Sequence, residues 1–94
     1  MISYYVSTID RHLDGPRKGQ MKTDSNWSSD MRNEARDKAE ALENETLWLA
    51  EALEQDWRTD RVFEVDTKAG TIEYMDIYGD EYAQEVSIDE IEEV

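Results

Sequence analysis

Between Met31 and Trp57 the apolar or small residues Met31, Ala35, Ala39, Leu42, Thr46, Leu49, Leu53 and Trp57 recur in steps of four and three, and after Thr59 the spacing drops to two. A chain that switches once from a helical to an extended period has a helix stripe and a sheet face to bury, and each is the natural cover for the other. The expectation is therefore an α+β fold, one long helix packed across a three- to four-stranded antiparallel sheet. The stripe predicts a helix over 29–57, with Ser28 or Ser29 as N-cap and Asp30 and Glu34 near its positive end. At 1.5 Å per residue it is ~43 Å long. A break at Asn44-Glu45 would shorten it, but the stripe keeps its phase through Leu42, Thr46 and Leu49, so a continuous helix is expected.

Alternation places the strands. Ile2, Tyr4 and Val6 alternate with Ser3, Tyr5 and Ser7 in a strand over 2–9. Residues 10–26 hold the only proline and two glycines and read as an excursion, with a short strand near 20–23. Residues 61–66 and 71–78 form a hairpin around Thr67-Lys68-Ala69-Gly70. Gly79-Asp80 marks a second turn, and 81–86 a further strand, with Tyr82, Gln84 and Val86 on one side. Ser87, three residues before Glu90, predicts the cap of a short terminal helix.

Ninety-four residues suffice for a single domain, 1–94, and nine aromatics including Trp27, Trp48 and Trp57 supply material for a core. The chain has no cysteine, so disulfides and thiolate metal sites are excluded. No apolar run approaches the ~20 residues of a membrane span and no signal segment is recognisable, so the expected location is the cytoplasm, or a host cell's cytoplasm if the source is a phage.

Charge is distributed unevenly. Residues 1–39 carry a net +1, residues 40–59 a net −5 and residues 60–94 a net −10. Such self-repulsion works against compactness and exceeds what solubility needs, which points to a cationic partner. The same field disfavours direct binding to nucleic acid or to an anionic membrane.

Few side chains suggest catalysis. His12 is the only histidine; Asp10-Arg11-His12-Leu13-Asp14 offers alternating ligands but no second imidazole or thiolate, so a solvated loop histidine is expected. Asp66 to Gly70 and Asp76 to Asp80 lack the calcium-loop pattern. A phosphate loop and a nucleophile–base pair are also lacking, so neither enzymatic activity nor a cofactor is expected.

The acids of the C-terminal strands are more informative. Glu64 and Asp66 share a strand face, and Glu73 stands near them across the hairpin. Carboxylates at i and i+2 lie ~6.7 Å apart, comparable to neighbouring nucleic-acid phosphates. Asp76, Asp80, Glu81 and Glu85 extend that surface. Trp48 falls nearly opposite the Leu42, Leu49 and Leu53 stripe, where it is core if the N-terminal excursion covers that side of the helix, the commoner fate of a tryptophan, and otherwise is available to a partner or to a second copy in a homodimer. In size and acidity the chain resembles the phage- or plasmid-encoded DNA mimics that disarm CRISPR effectors or restriction enzymes, a likeness of type that rests on no shared motif. The expected function is that of a small acidic inhibitor occupying the nucleic-acid groove of a positively charged protein or complex. The alternative is an acidic accessory or adaptor protein, antitoxin-like or adapted to salt, that binds through the Trp48 face.

Overall fold

The computed structural model describes residues 2–22 and 29–90. Five strands and one helix follow one another: β1 (Ile2–His12), β2 (Ser29–Ala35), α1 (Lys38–Gln55), β3 (Thr59–Asp66), β4 (Thr71–Asp76) and β5 (Glu81–Glu90). The strands make one antiparallel sheet in the order β2-β1-β5-β4-β3. The four strands expected from alternation are its contiguous block β1-β5-β4-β3, and β2 extends that block beyond β1. As expected for this α+β fold, a single helix covers one face of the sheet, packing chiefly on β3 and β5.

Alternation sorts the side chains. Tyr4, Val6, Tyr74, Tyr82, Val86, Ile88 and the fully buried Ile72 occupy the covered face. Leu42, Leu49 and Leu53 press onto them from the helix, while Ala41 and Ala50 allow its backbone to approach. Thr46 is also fully buried, and its hydroxyl donates to the Leu42 carbonyl at 2.6 Å, which satisfies the polar group inside the core. Glu45 is buried as well, accepting from the Tyr4 hydroxyl at 3.4 Å.

The helix is shorter than its stripe predicts, because residues 29–35 are a strand paired with β1 through Tyr5↔Met31 and Ser7↔Ser29. A step of four returns to the same face of a strand as well as of a helix, so Met31, Ala35 and Ala39 fit both periods. The true start is fixed by Asp37, extended at φ −151° and ψ 175°, whose carboxylate accepts from the Glu40 amide at 2.8 Å. Arg36 donates to the Glu40 carboxylate from just outside the helix. Ser29 is thus a strand residue, and Ser28 lies outside the described residues, as does Trp27. At the other end the Asp56 amide donates to the Leu53 carbonyl, and the Asp56 carboxylate accepts from the Arg58 amide, turning the chain into β3. Trp57 therefore leaves the stripe and is 76% exposed.

Two further expectations are revised. Ser87 caps no helix, since it pairs with Ser7 and β5 continues to Glu90 with Ile88 buried on the core face. Residues 91–94 lie outside the described residues. The strand expected near 20–23 is a single bridge, Arg11↔Met21, where the 13–20 excursion folds back on a β1 that runs on to His12. Residue 23 lies outside the described residues.

The Thr67–Gly70 loop is anchored to the core. Gly70 has φ +75°, its carbonyl accepts from the Val86 amide at 2.7 Å, and an added Cβ would meet the Val86 carbonyl oxygen at 2.9 Å and Leu42 Cδ1 at 2.7 Å. At Gly79, φ +87°, a Cβ would meet nothing within 4 Å. Gly79→Ala should then lose only the left-handed backbone term, about 1 kcal/mol, and Gly70→Ala at least about twice that, measured by urea denaturation.

Candidate functional site

The sheet face that α1 leaves uncovered carries Glu64, Asp66, Glu73, Glu81 and Glu85, and the strand register determines which of them meet. Glu64 on β3 stands opposite Glu73 on β4, and one step along β4 Met75 stands opposite Glu81 on β5. In the other direction Thr71 separates Asp66 from Glu85. Neighbouring strands are ~4.8 Å apart and alternate residues ~6.7 Å, so Glu64, Glu73 and Glu81 form a compact group. A register shift between Val62 and Glu64 brings this about: the extra residue, Phe63, returns Glu64 to the open face while Val62 faces the helix.

Crowding alters the acid strength of Glu73. Partial burial, then the hydrogen bond and charge of Glu64 and the charge of Glu81, raise its pKa above the ordinary glutamate value. The cluster favours a proton that the unfolded chain does not hold.

The eight residues singled out in the sequence do not form one surface. Glu64, Asp66, Glu73, Glu81 and Glu85 share the open face, but two of these are already engaged. The Asp66 carboxylate accepts from the Lys68 and Ala69 amides, both at 3.0 Å, and shapes the hairpin loop. Glu85 accepts from Arg11 Nε at 3.1 Å, which offsets its charge. Asp76 and Asp80 belong to the β4–β5 turn on the helix side, where Asp76 Oδ1 accepts from the Tyr78 and Asp80 amides. Trp48 projects from α1 and is 56% exposed, beside Leu47 at 51%; the sheet lies between them and the Glu64–Glu73–Glu81 group. The open face also carries Arg61, whose guanidinium sits 4.9 Å from the Phe63 ring centroid.

His12 is not a loop residue. It ends β1, its ring 5.0 Å from that of Tyr82, and its Nε2 is buried without a hydrogen-bond partner among the described residues. No group of three or more histidine, cysteine, aspartate or glutamate side chains among the described residues is placed to hold a metal ion. No helix among the described residues is long and apolar enough to cross a membrane.

The helix side carries a concavity that the sequence does not announce. Between the end of α1, the Trp57–Arg58 turn and the β4–β5 turn lies a cleft of about 460 Å³, floored by Asp10, Tyr74 and Gln84. Only the pairing of β1 with β5 assembles that floor, so no local sequence signal announces it.

Comparison with protein-family models, curated proteins and solved structures found no match for this chain.

A carboxyl whose folded pKa is raised destabilises the fold once ionised, so this contribution to stability falls as pH rises from the ordinary glutamate range through the raised value. Glu73→Gln should raise stability at pH 7 by up to about 1 kcal/mol, allowing for solvent screening, and should flatten the pH dependence between the unfolded and folded pKa values. Thermal melts at pH 4 to 8 measure both effects.

Proposed function

We propose that this chain is a small acidic binding protein that presents its open sheet face to a basic, nucleic-acid-handling protein and blocks the groove by occupation. The supporting observation is the Glu64–Glu73–Glu81 group: three glutamates held together on the face without the helix, where partial burial and then the neighbouring Glu64 and Glu81 raise the pKa of Glu73. Like charges opposite one another on a sheet are destabilising, and a cationic partner would relieve that repulsion on binding. Phosphate imitation is limited to part of the surface, because Asp66 is tied to its loop and Glu85 to Arg11. Occupation needs no catalytic group. It gains rapid association from the chain's net charge of −14, with affinity that falls as salt is added.

A second reading has its own observation. Leu47 and Trp48 lie exposed and adjacent on the helix, as an adaptor that contacts its partner through apolar area would require.

Affinity capture on the immobilised chain from nuclease-treated lysate, eluted with a salt ramp, separates the two. Groove occupation predicts a nucleic-acid-handling protein released at moderate salt and displaced by duplex DNA. That capture should be lost in the Glu64→Gln, Glu73→Gln, Glu81→Gln triple variant and kept in Trp48→Ala. A salt-resistant partner kept by the triple variant and lost by Trp48→Ala would overturn it in favour of the adaptor.

A further inference from the structure

Several of the chain's aspartates are held away from a reaction with their own backbone. An aspartyl carboxyl can condense with the amide nitrogen of the very next residue, because that closure makes a five-membered ring. Asp37, Asp56, Asp66 and Asp76 instead accept from amides further along: Glu40 for the first, Arg58 for the second, Lys68 and Ala69 for the third, Tyr78 and Asp80 for the fourth. Those contacts carry the carboxylate past the adjacent nitrogen. Asp10 and Asp89 lie within β1 and β5, where pairing fixes an extended backbone and the next residue bears a long side chain.

Asp14 differs. It lies in the excursion that follows β1, and the Gly15 amide donates to its Oδ1 at 2.7 Å. Cγ is one C–O bond, about 1.2 Å, from that oxygen, so the nitrogen stands no more than about 3.9 Å from the carbon it would attack. Reacting atoms poised for a step are about 3–3.5 Å apart, so little movement separates this contact from bond formation. Asp14-Gly15 is also the only Asp-Gly step in the sequence. Glycine puts no side chain beside the attacking nitrogen, and a Cβ built there would meet nothing within 4 Å, which leaves room for a ring to close. Asp14, Gly15 and Pro16 are all exposed to the water that leaves and returns.

From the adjacent amide contact, the absent side chain and the exposure, we propose that Asp14-Gly15 is a site of covalent self-modification, the isomerisation of aspartate to isoaspartate. The Gly15 nitrogen bonds to Asp14 Cγ, and its proton departs with the hydroxyl of the neutral carboxyl as water, leaving a succinimide. Water then adds to one of the two ring carbonyls. Breaking the bond from nitrogen to Cγ restores aspartate; breaking the bond from nitrogen to the main-chain carbonyl carbon leaves isoaspartate, with the chain running through Cβ and Cγ and the α-carboxylate free. Mass and charge are unchanged, and the step needs no oxidant, reductant or cofactor. The backbone gains one carbon. The His12 amide donates to Gln20 at 2.9 Å, the Gly19 amide to His12 at 2.8 Å and the Leu13 amide to Glu81 at 3.0 Å, so the excursion is closed below its tip. The added carbon is taken up in that tip while β1 keeps its register. The site is independent of the carboxylates on the open sheet face.

The test holds the whole chain at 37 °C and pH 6 for several weeks and digests samples with trypsin. Asp14 is the only aspartate of the peptide His12–Arg17. A second chromatographic peak of identical mass, methylated by an isoaspartyl methyltransferase with S-adenosylmethionine, therefore reports the product. It should form about tenfold or more faster at Asp14 than at Asp37, Asp56, Asp66 or Asp76, and at least as fast as in a free capped peptide of residues 12–17. Asp14→Glu, at an exposed position and needing a six-membered ring, should abolish the second peak. Comparable product at the other four aspartates would overturn the proposal, as would a rate in the folded chain well below that of the free peptide, since the fold would then withhold the contact rather than present it.

Discussion

Nine successive residue pairs, from Tyr4↔Glu90 to His12↔Tyr82, join β1 to β5, and both faces of the molecule depend on that ladder. It binds segments from the two ends of the described chain, so the whole helix and hairpin form one large closed loop. The closure entropy grows only logarithmically with length, which makes the pairing tolerable thermodynamically while tending to slow folding. Once made, it sets Asp10 beside Gln84 on the covered face and Arg11 within reach of Glu85 on the open one. The cleft floor and the partial neutralisation of the acidic face follow from the same register.

The helix decides where charge can go. It needs an apolar cover, and Glu64, Asp66, Glu73, Glu81 and Glu85 of β3, β4 and β5 collect on the side it leaves open. Several others are put to local use: Asp37 caps the helix, Asp56 turns the chain out of it, and Asp66 and Asp76 organise the two β-turns. A carboxylate that accepts backbone amides is compensated where it stands, which is how so acidic a chain limits its self-repulsion. Glu64, Glu73 and Glu81 are the group in which partial burial and then the charge of neighbours raise a carboxyl pKa, that of Glu73.

Much of this was legible in the residues. Alternation identified β1, β3, β4 and β5, and the 42, 46, 49 and 53 spacing identified the face of α1 that packs on them. Met31 and Ala35 misled because four-residue steps satisfy both periods; the signal that resolves them is local, an Asp37-x-x-Glu40 capping pattern. The proximity of Glu64 and Glu73 was readable from the hairpin, although the route to it through an extra residue at Phe63 was not. Engagement of Glu85 by Arg11 and the Asp10–Tyr74–Gln84 floor could not be read, because each joins residues 64 to 74 positions apart whose meeting depends on strand order.

The irregular register of β3 also bears on how the molecule meets copies of itself. This strand closes one side of the sheet, and within Thr59–Asp66 its pairing slips twice, after Thr59 and after Val62. An incoming strand needs an even row of free amides and carbonyls, and a twice-kinked edge bearing Glu64 and Asp66 offers only short, misaligned stretches of one. Growth of the sheet into fibrils by edge-on addition is blocked at that side by backbone shape as well as by charge, so the protection persists at salt concentrations that screen the carboxylates.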